Sequence, residues 1–306
     1  MLHPIRNLGS RILNASLEGG THELAVPPPI SRRSFLLLAA SLSSCSVAAP
    51  LPPPATPSLK TTANPKYRTP TVQGPVPRNP DNSFGSNFSS SAGISFSRVR
   101  VPGNFIAMTF DDGPHPHNTP RLLDMLRARN IKATFFVVGN CVDLYPQVVR
   151  RTIAEGHEIG NHTYTHRLLT KCSDAEITSE LTRCRDAVAR AANYQQRVLR
   201  PPYGSLLQRQ REMVRSTFGY PTILWSVDPL DWKRPGPSVV TSRILAGTTS
   251  GAIILSHDLH APTIDAMPAT LDGLLERGFQ FVTVSQLLAM KSDATTAQAA
   301  AATDNS

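Results

Sequence analysis

The stretch Phe105-Ile106-Ala107-Met108-Thr109-Phe110-Asp111-Asp112-Gly113-Pro114 decides the reading of this chain. Its apolar half predicts a buried strand, and two carboxylates stand side by side where that strand stops. Neighbouring side chains on a strand point to opposite faces, so the pair can divide two tasks, one binding a metal and one moving a proton. About fifty residues on, Asn161-His162-Thr163-Tyr164-Thr165-His166 supplies two imidazoles four apart, a spacing that puts both on one side of a tight loop or helical turn. One carboxylate and two neutral imidazoles make three ligands and leave a position for water, the pattern of catalytic rather than structural zinc. Asp112, His162 and His166 are therefore the candidate metal ligands.

Outward from this stretch, short apolar runs alternate with amphipathic segments. Phe105 to Phe110 is followed by a helix over Thr119 to Arg129, a strand at Ala133 to Val138, and a helix from Tyr145 to Glu155 whose Val148, Val149 and Ile153 share one face. His157 to Gly160, Val198 to Arg200, Thr222 to Ser226, Ala252 to Ser256 and Phe281 to Val284 are further strand candidates. Helical segments at Asp174 to Ala192, Leu206 to Phe218, Pro237 to Ala246 and Thr263 to Arg277 separate them. This alternation predicts an α/β fold with a parallel sheet, and no glycine-rich dinucleotide fingerprint follows the first strand. An irregular (β/α) barrel of about seven parallel strands fits better than an open sheet, because the polar chemistry falls at strand C-termini, the active face of such barrels. Asp111 with Asp112, His162, Arg200, Asp228 with Asp231, and His257 each come directly after a strand candidate.

Together these segments resemble the polysaccharide deacetylase family, also called the NodB-homology domain or carbohydrate esterase family 4. The signatures are Thr109-Phe110-Asp111-Asp112-Gly113, His162-Thr163-Tyr164-Thr165-His166, Arg200-Pro201-Pro202-Tyr203-Gly204, Asp228-Pro229-Leu230-Asp231-Trp232 and Leu255-Ser256-His257-Asp258, and no signature position departs from the pattern. The resemblance implies that Asp112, His162 and His166 hold a divalent metal, zinc first with cobalt, manganese or nickel as alternatives, whose bound water is made acidic. It implies that Asp111 takes the proton and that Arg200 orients it. It assigns His257 the proton given to the leaving amine, with Asp231 favouring the charged imidazole. The backbone N–H of Tyr203 would stabilise the oxyanion, Leu255 would line the acetyl pocket, and Trp232 would form an apolar wall of the sugar groove. Taken singly, the residues leave blander readings open: a capped Asp-Asp-Gly turn, hydrogen-bonded loop histidines, structural ion pairs for Arg200 and Asp231, and ordinary packing for Leu255 and Trp232. His115, His117, His157 and His260 are assigned no chemistry.

The flanks differ in composition. Residues 1 to 100 carry 10 Lys+Arg against 3 Asp+Glu, leaving 21 against 19 for the rest, so the formal charge of +9 is concentrated at the start. With no basic stripe in the globular part, nucleic-acid binding is not expected. Ser31-Arg32-Arg33-Ser34-Phe35-Leu36-Leu37 places paired arginines before an apolar run far shorter than the ~20 residues of a membrane span, and reads as an export signal over residues 1–49. It resembles a twin-arginine signal, and Leu42-Ser43-Ser44-Cys45 resembles a lipoprotein-processing box in which Cys45 is lipidated; ordinary cleavage near Ala48 or Ala49 stays open. Residues 50–98 read as a Pro/Ser-rich spacer, with 10 prolines from Pro50 to Pro80 and too little apolar surface to offset ordering entropy. The globular unit is set at residues 99–292, before an Ala/Thr-rich tail at 293–306. Cys141, Cys172 and Cys184 lack a metal-ligand spacing; a Cys172 to Cys184 disulfide and buried free thiols are both open.

The expectation is an exported, metal-dependent hydrolase, periplasmic or extracellular, whose sole membrane contact would be an N-terminal lipid anchor. It would remove N-acetyl groups from N-acetylglucosamine residues of an envelope polysaccharide, peptidoglycan first, with that acetylated polymer as its partner and no obligate protein partner. Deacetylation of chitin oligomers and ester hydrolysis on acetylxylan are alternatives, since the same residues serve amide and ester. A catalytically inactive glycan-binding module is the alternative of another class; it predicts a missing base, acid or ligand, and none is missing.

Overall fold

The computed structural model describes residues 93–291. The expected export signal with Cys45, most of the spacer and the tail lie outside the described residues. In chain order the elements are β1 (Ser95–Phe96), β2 (Phe105–Asp111), α1 (Asn118–Ala128), β3 (Thr134–Val137), α2 (Gly139–Leu144), α3 (Pro146–Ala154), β4 (Glu158–Asn161), α4 (Asp174–Ala192), α5 (Gln208–Phe218), β5 (Thr222–Ile223), α6 (Pro237–Gly247), β6 (Ile253–Ile254), α7 (Ala261–Glu276) and β7 (Gln280–Phe281). Residues 284–291 are again helical.

β2 is the hub: it pairs in parallel with β3, β6 and β7, and β3 pairs in parallel with β4. Single parallel bridges carry the ring onward, from Asn161 to Leu199, from Leu199 to Thr222, and from Val227 to Ile254. The path from β2 through β3, β4, Leu199, the β5 segment and β6 thus returns to β2, the irregular parallel barrel that the alternation predicts.

Alternation along β2 sorts the core into two layers. Ile106, Met108 and Phe110 pack with Phe135 and Val137 against helix residues such as Leu122, Val149, Val188, Ile244 and Leu271. Ala107 belongs to the other layer, with Phe136, Val198, Ile223 and Ile253, and Val284, Leu287 and Leu288 of the last helix close it from below. By the same period Thr109 and Asp111 also face inward, so β2 carries an inner column from Ala107 up to Asp111 at its C-terminal end. Gly160 makes room in this layer, since a Cβ there would come within 2.4 Å of the Phe136 ring.

Several strands are shorter than expected, for local reasons. Thr222 to Ser226 reduces to β5 because the carbonyls of Ile223 and Leu224 accept from the Arg200 guanidinium instead of a neighbouring strand. Val198 to Arg200 contributes one bridge residue, Leu199, before the chain leaves the sheet. The run ending at Val284 stops at Phe281, where reciprocal bonds between Thr283 and Gln286 start the last helix. Ala252 to Ser256 keeps only β6 as regular strand. Conversely, Ser95 and Phe96, which composition assigns to the spacer, form β1 beside β5. Cys141, Cys172 and Cys184 are free thiols. No described helix is long and apolar enough to cross a membrane.

Candidate active site

Asp111 ends β2, and its Oδ1 accepts a hydrogen bond from Arg200 Nη1 at 2.7 Å. Nη1 also donates to Thr109 Oγ1, while Nε and Nη2 donate to the carbonyls of Ile223 and Leu224. The guanidinium lies 4.2 Å from the Phe136 ring centre and 5.7 Å from that of Trp225. Arg200 is 0% and Asp111 3% exposed, so the charge pair is fixed in one orientation with little solvent screening.

Asp112 follows at φ 75°, in the left-handed region where a non-glycine residue is strained. Its Oδ1 lies 3.3 Å from His162 Nε2 and 3.1 Å from His166 Nε2. That oxygen is nonetheless buried with no hydrogen-bond partner, so the three atoms face a common point rather than bonding in pairs. His162 Nδ1 lies 2.7 Å from the Arg200 carbonyl, which can only accept; Nδ1 therefore carries a proton and Nε2 turns to the cluster. Burial disfavours charge on His162, yet Asp111 and Asp112 outweigh it and raise its pKa. Burial likewise opposes ionisation of Asp112, and the two imidazoles outweigh it, holding the carboxyl well below the ordinary range. The site thus attracts positive charge. An orphaned carboxylate oxygen with two imidazole nitrogens is a donor set suited to zinc or another first-row divalent ion, so these residues fit the implied metal.

His257 bridges in parallel to Asp111 just past β6. Asp231, 1% exposed, accepts from it twice at 2.8 Å, through Oδ1 from Nδ1 and through Oδ2 from the backbone N–H, and Thr263 Oγ1 donates to Oδ2 at 2.9 Å. Burial disfavours the imidazolium, but Asp231 first, then Asp111 and Asp112, outweigh it and push His257 up to about 9. With Nδ1 committed to Asp231, Nε2 is the nitrogen left to donate a proton at neutral pH.

Tyr203 follows buried Pro202 at φ 61°, its exposed ring 4.9 Å from that of His166. Leu255 is buried, its N–H bonded to the Val227 carbonyl. Trp232 is half exposed, with Lys233 Nζ 5.0 Å from its ring centre. The structure therefore gathers Asp111, Asp112, His162, His166, Arg200, Asp231 and His257 into one cluster with Tyr203 at its edge. Leu255 and Trp232 adjoin it by chain position, two residues before His257 and directly after Asp231.

Other residues in and around the cluster escape the sequence reading. Asp258 is buried, accepts from Thr119 Oγ1 at 2.5 Å, and is pushed by burial, helped by Asp112 and Asp111, up to about 7. It explains the glycine of the Asp-Asp-Gly turn, where a Cβ would come within 2.4 Å of its Oδ2. His115 caps α1, its Nδ1 accepting from the N–H groups of His117 and Asn118. Glu180 on α4 accepts from the loop between the two histidines. One signal was available for it: a carboxylate among Ile177, Leu181, Cys184 and Val188 lies on the buried stripe of its helix.

Residues 98–222 match the polysaccharide deacetylase family. The chain is 42% identical over 202 residues to the peptidoglycan-N-acetylglucosamine deacetylase PgdA of Listeria monocytogenes, spanning 64% of this chain but only 42% of that longer protein. It is 38% identical over 198 residues to a chitooligosaccharide deacetylase of Bradyrhizobium, spanning 60% of this chain and 90% of that one. The solved structure of peptidoglycan deacetylase PdaC from Bacillus subtilis superposes with a TM-score of 0.60 at 36% identity, over 64% of this chain and 95% of that one.

Proposed function

Because this chain belongs to the polysaccharide deacetylase family, we propose that it hydrolyses the acetamide of N-acetylglucosamine residues in an envelope polysaccharide, peptidoglycan first. The observation that carries this reading is the pairing of two prepared groups beside one cluster of metal donors: Asp111 held by Arg200, and His257 held by Asp231. Amide hydrolysis needs a proton taken from water and another given to a poor leaving amine, and these pairs offer an acceptor and a donor together. Asp111 takes the proton of the attacking water. His257 Nε2 gives its proton to the amine nitrogen as the carbon–nitrogen bond breaks. A divalent ion held by Asp112, His162 and His166 would supply Lewis acidity toward water and the acetyl carbonyl. The Tyr203 backbone N–H donates to the carbonyl oxygen as it gains charge, Leu255 packs on the acetyl methyl, and Trp232 takes the face of a sugar ring.

Peptidoglycan is preferred because the Listeria and Bacillus subtilis relatives carry that substrate in their names. Chitin oligomers are the second reading, supported by a relative matched over 90% of its length. The arginine pair and apolar run at Arg32 to Leu42 support the reading of an export signal, which would put the reaction outside the cytoplasm, with Cys45 as its proposed anchor. Metabolic palmitate labelling tests the anchor; label retained after Cys45→Ala would remove it.

Acetate release by the full chain on peptidoglycan, chitin oligomers and acetylxylan, with chelator and then restored zinc, tests the activity. Chelator-sensitive release from peptidoglycan supports the proposal, and release from another polymer alone reassigns the substrate. No release from any of them by zinc-loaded protein would leave the inactive glycan-binding reading.

A further inference from the structure

The loop joining His162 to His166 is unusual in how its backbone is held. The N–H of Thr163 donates to Asn161 Oδ1 at 2.9 Å, those of Tyr164 and Thr165 to Glu180 Oε2 at 3.0 and 2.8 Å, and that of His166 to Thr163 Oγ1 at 3.0 Å. Thr165 Oγ1 adds a bond to Glu180 Oε1 at 2.8 Å. No backbone carbonyl takes any of these four amides; side chains alone accept them. On the opposite edge, the carbonyls of Thr163 and Tyr164 accept from Gly139 and Asn140 at the start of α2.

Such an arrangement has work to do, because Thr163 and His166 both sit at positive φ, 66° and 58°. Left-handed backbone at β-branched or bulky residues persists only where its surroundings over-determine it. Glu180 is 5% exposed and projects from α4 beneath the loop, so three donors from the two residues before His166 converge on one buried carboxylate. A carboxylate only accepts, and both its oxygens are used here, so it ties down the backbone just before the second imidazole.

We infer that Glu180 is a positioning residue for the metal site: through the Tyr164–Thr165 backbone it holds His162 and His166 at the separation that lets both Nε2 atoms meet Asp112. This rests on the reading that Asp112, His162 and His166 hold a divalent ion. A neutral amide in its place can keep one oxygen toward the Tyr164 and Thr165 N–H groups and turn its N–H₂ to Thr165 Oγ1, but it loses the charge that strengthens all three bonds, so the anchor is weakened while the side-chain volume is kept.

Glu158 supplies the control. It is equally buried, at 6% exposure, and accepts from Thr134 Oγ1 and from the N–H and hydroxyl of Ser285, but it stands at the start of β4, away from the ligand end. Zinc affinity of the full chain is measured by competition with a chromophoric chelator, beside thermal unfolding of the same metal-free samples. Glu180→Gln is expected to weaken zinc binding by about tenfold or more, whereas Glu158→Gln lowers the unfolding temperature and leaves zinc affinity within about twofold of wild type. Thr165→Val, which removes one of the three donors, covers the case in which Glu180→Gln fails to fold and is expected to show a smaller loss in the same direction. Unchanged affinity in Glu180→Gln, or in Thr165→Val where that variant stands in, overturns the inference, as do equal losses in Glu180→Gln and Glu158→Gln. Wild-type protein that takes up no zinc overturns the metal reading itself, and is told apart from failure of Glu180 alone by that first measurement.

Discussion

Arg200 Nη1 and Asp111 Oδ1 lie 2.7 Å apart at a depth where both side chains are almost wholly out of water. A buried pair of this kind adds little net stability over an apolar pair, but removing one partner strands a charge at a cost of about 3–5 kcal/mol. Arg200→Met would strand Asp111 and also leave Thr109 Oγ1 and the Ile223 and Leu224 carbonyls without their donor. Urea unfolding at pH 7 should report a loss of about 3–5 kcal/mol. Asp111→Asn keeps an acceptor for Arg200, so it should cost less stability while lowering acetate release by about 10²- to 10⁴-fold. Release at the wild-type rate by Asp111→Asn would remove Asp111 from its role as base.

The His257–Asp231 pair makes a pH prediction whose sign is fixed by the raised pKa. His257 moves from 6.5 to about 9 in the folded protein, so its contribution to stability is fully present below about pH 6.5 and is lost as pH rises through about 9. Asp231→Asn removes the acidic partner while leaving the burial that disfavours charge, and His257 should then titrate well below 9. NMR titration of metal-free protein reads both values directly. Over the same interval, the stability advantage of wild type over the variant should shrink with rising pH. A wild-type His257 titrating near 6.5 would show that Asp231 does not set its charge.

The orphaned Asp112 Oδ1 predicts that zinc, the ion proposed for this site, stabilises the fold as well as supporting activity. A ligand that binds only the folded state at 100 times its Kd adds about 2.7 kcal/mol. Thermal unfolding of wild type should therefore rise with added zinc and fall back with chelator. Of the three proposed ligands His166 is least committed to the core, with 29% of its side chain exposed, so His166→Ala should fold while losing the zinc response and most of the activity. A full zinc shift in that variant would remove His166 from the ligand set.

What could be read from the sequence follows from how far each signal reaches along the chain. β2 was legible because one continuous stretch holds both its apolar run and the Asp111–Asp112 pair, and α4 because its period is bracketed by a Ser173–Glu176 capping box and a left-handed Asn193. The convergence of Asp112, His162 and His166 was legible because a candidate ligand set has a chemistry that residue types alone express. The supporting contacts were not, since each depends on which element lies over which. The stripe of α4 identifies Glu180 as buried without saying that the ligand loop is above it. The shortening of the β5 segment depends on Arg200 taking its carbonyls, a contact across the barrel. Residues 95–96 form a strand only because β5 is beside them. His115 was assigned no chemistry, and its capping of α1 is a matter of ring orientation that no spacing reports.

Gly160 links packing beneath the site to the chemistry above it. A Cβ at this position would sit 2.4 Å from Phe136 Cδ1 and 3.1 Å from Val198 Cγ2, so alanine must displace the Phe136 ring. That ring supports the Arg200 guanidinium from 4.2 Å, and Arg200 in turn holds Asp111. Overpacking of this kind costs about 1–3 kcal/mol, and Gly160→Ala should lose about that much stability. Its rate should fall further than its zinc affinity, because the displaced group leads to Asp111 rather than to the ligand loop. Shortening the ring relieves the clash, so Gly160→Ala with Phe136→Leu should be more stable than the sum of the single losses allows. Strict additivity of the two losses would mean that Gly160 and Phe136 do not press on one another, and the link from barrel packing to Asp111 would fail with it.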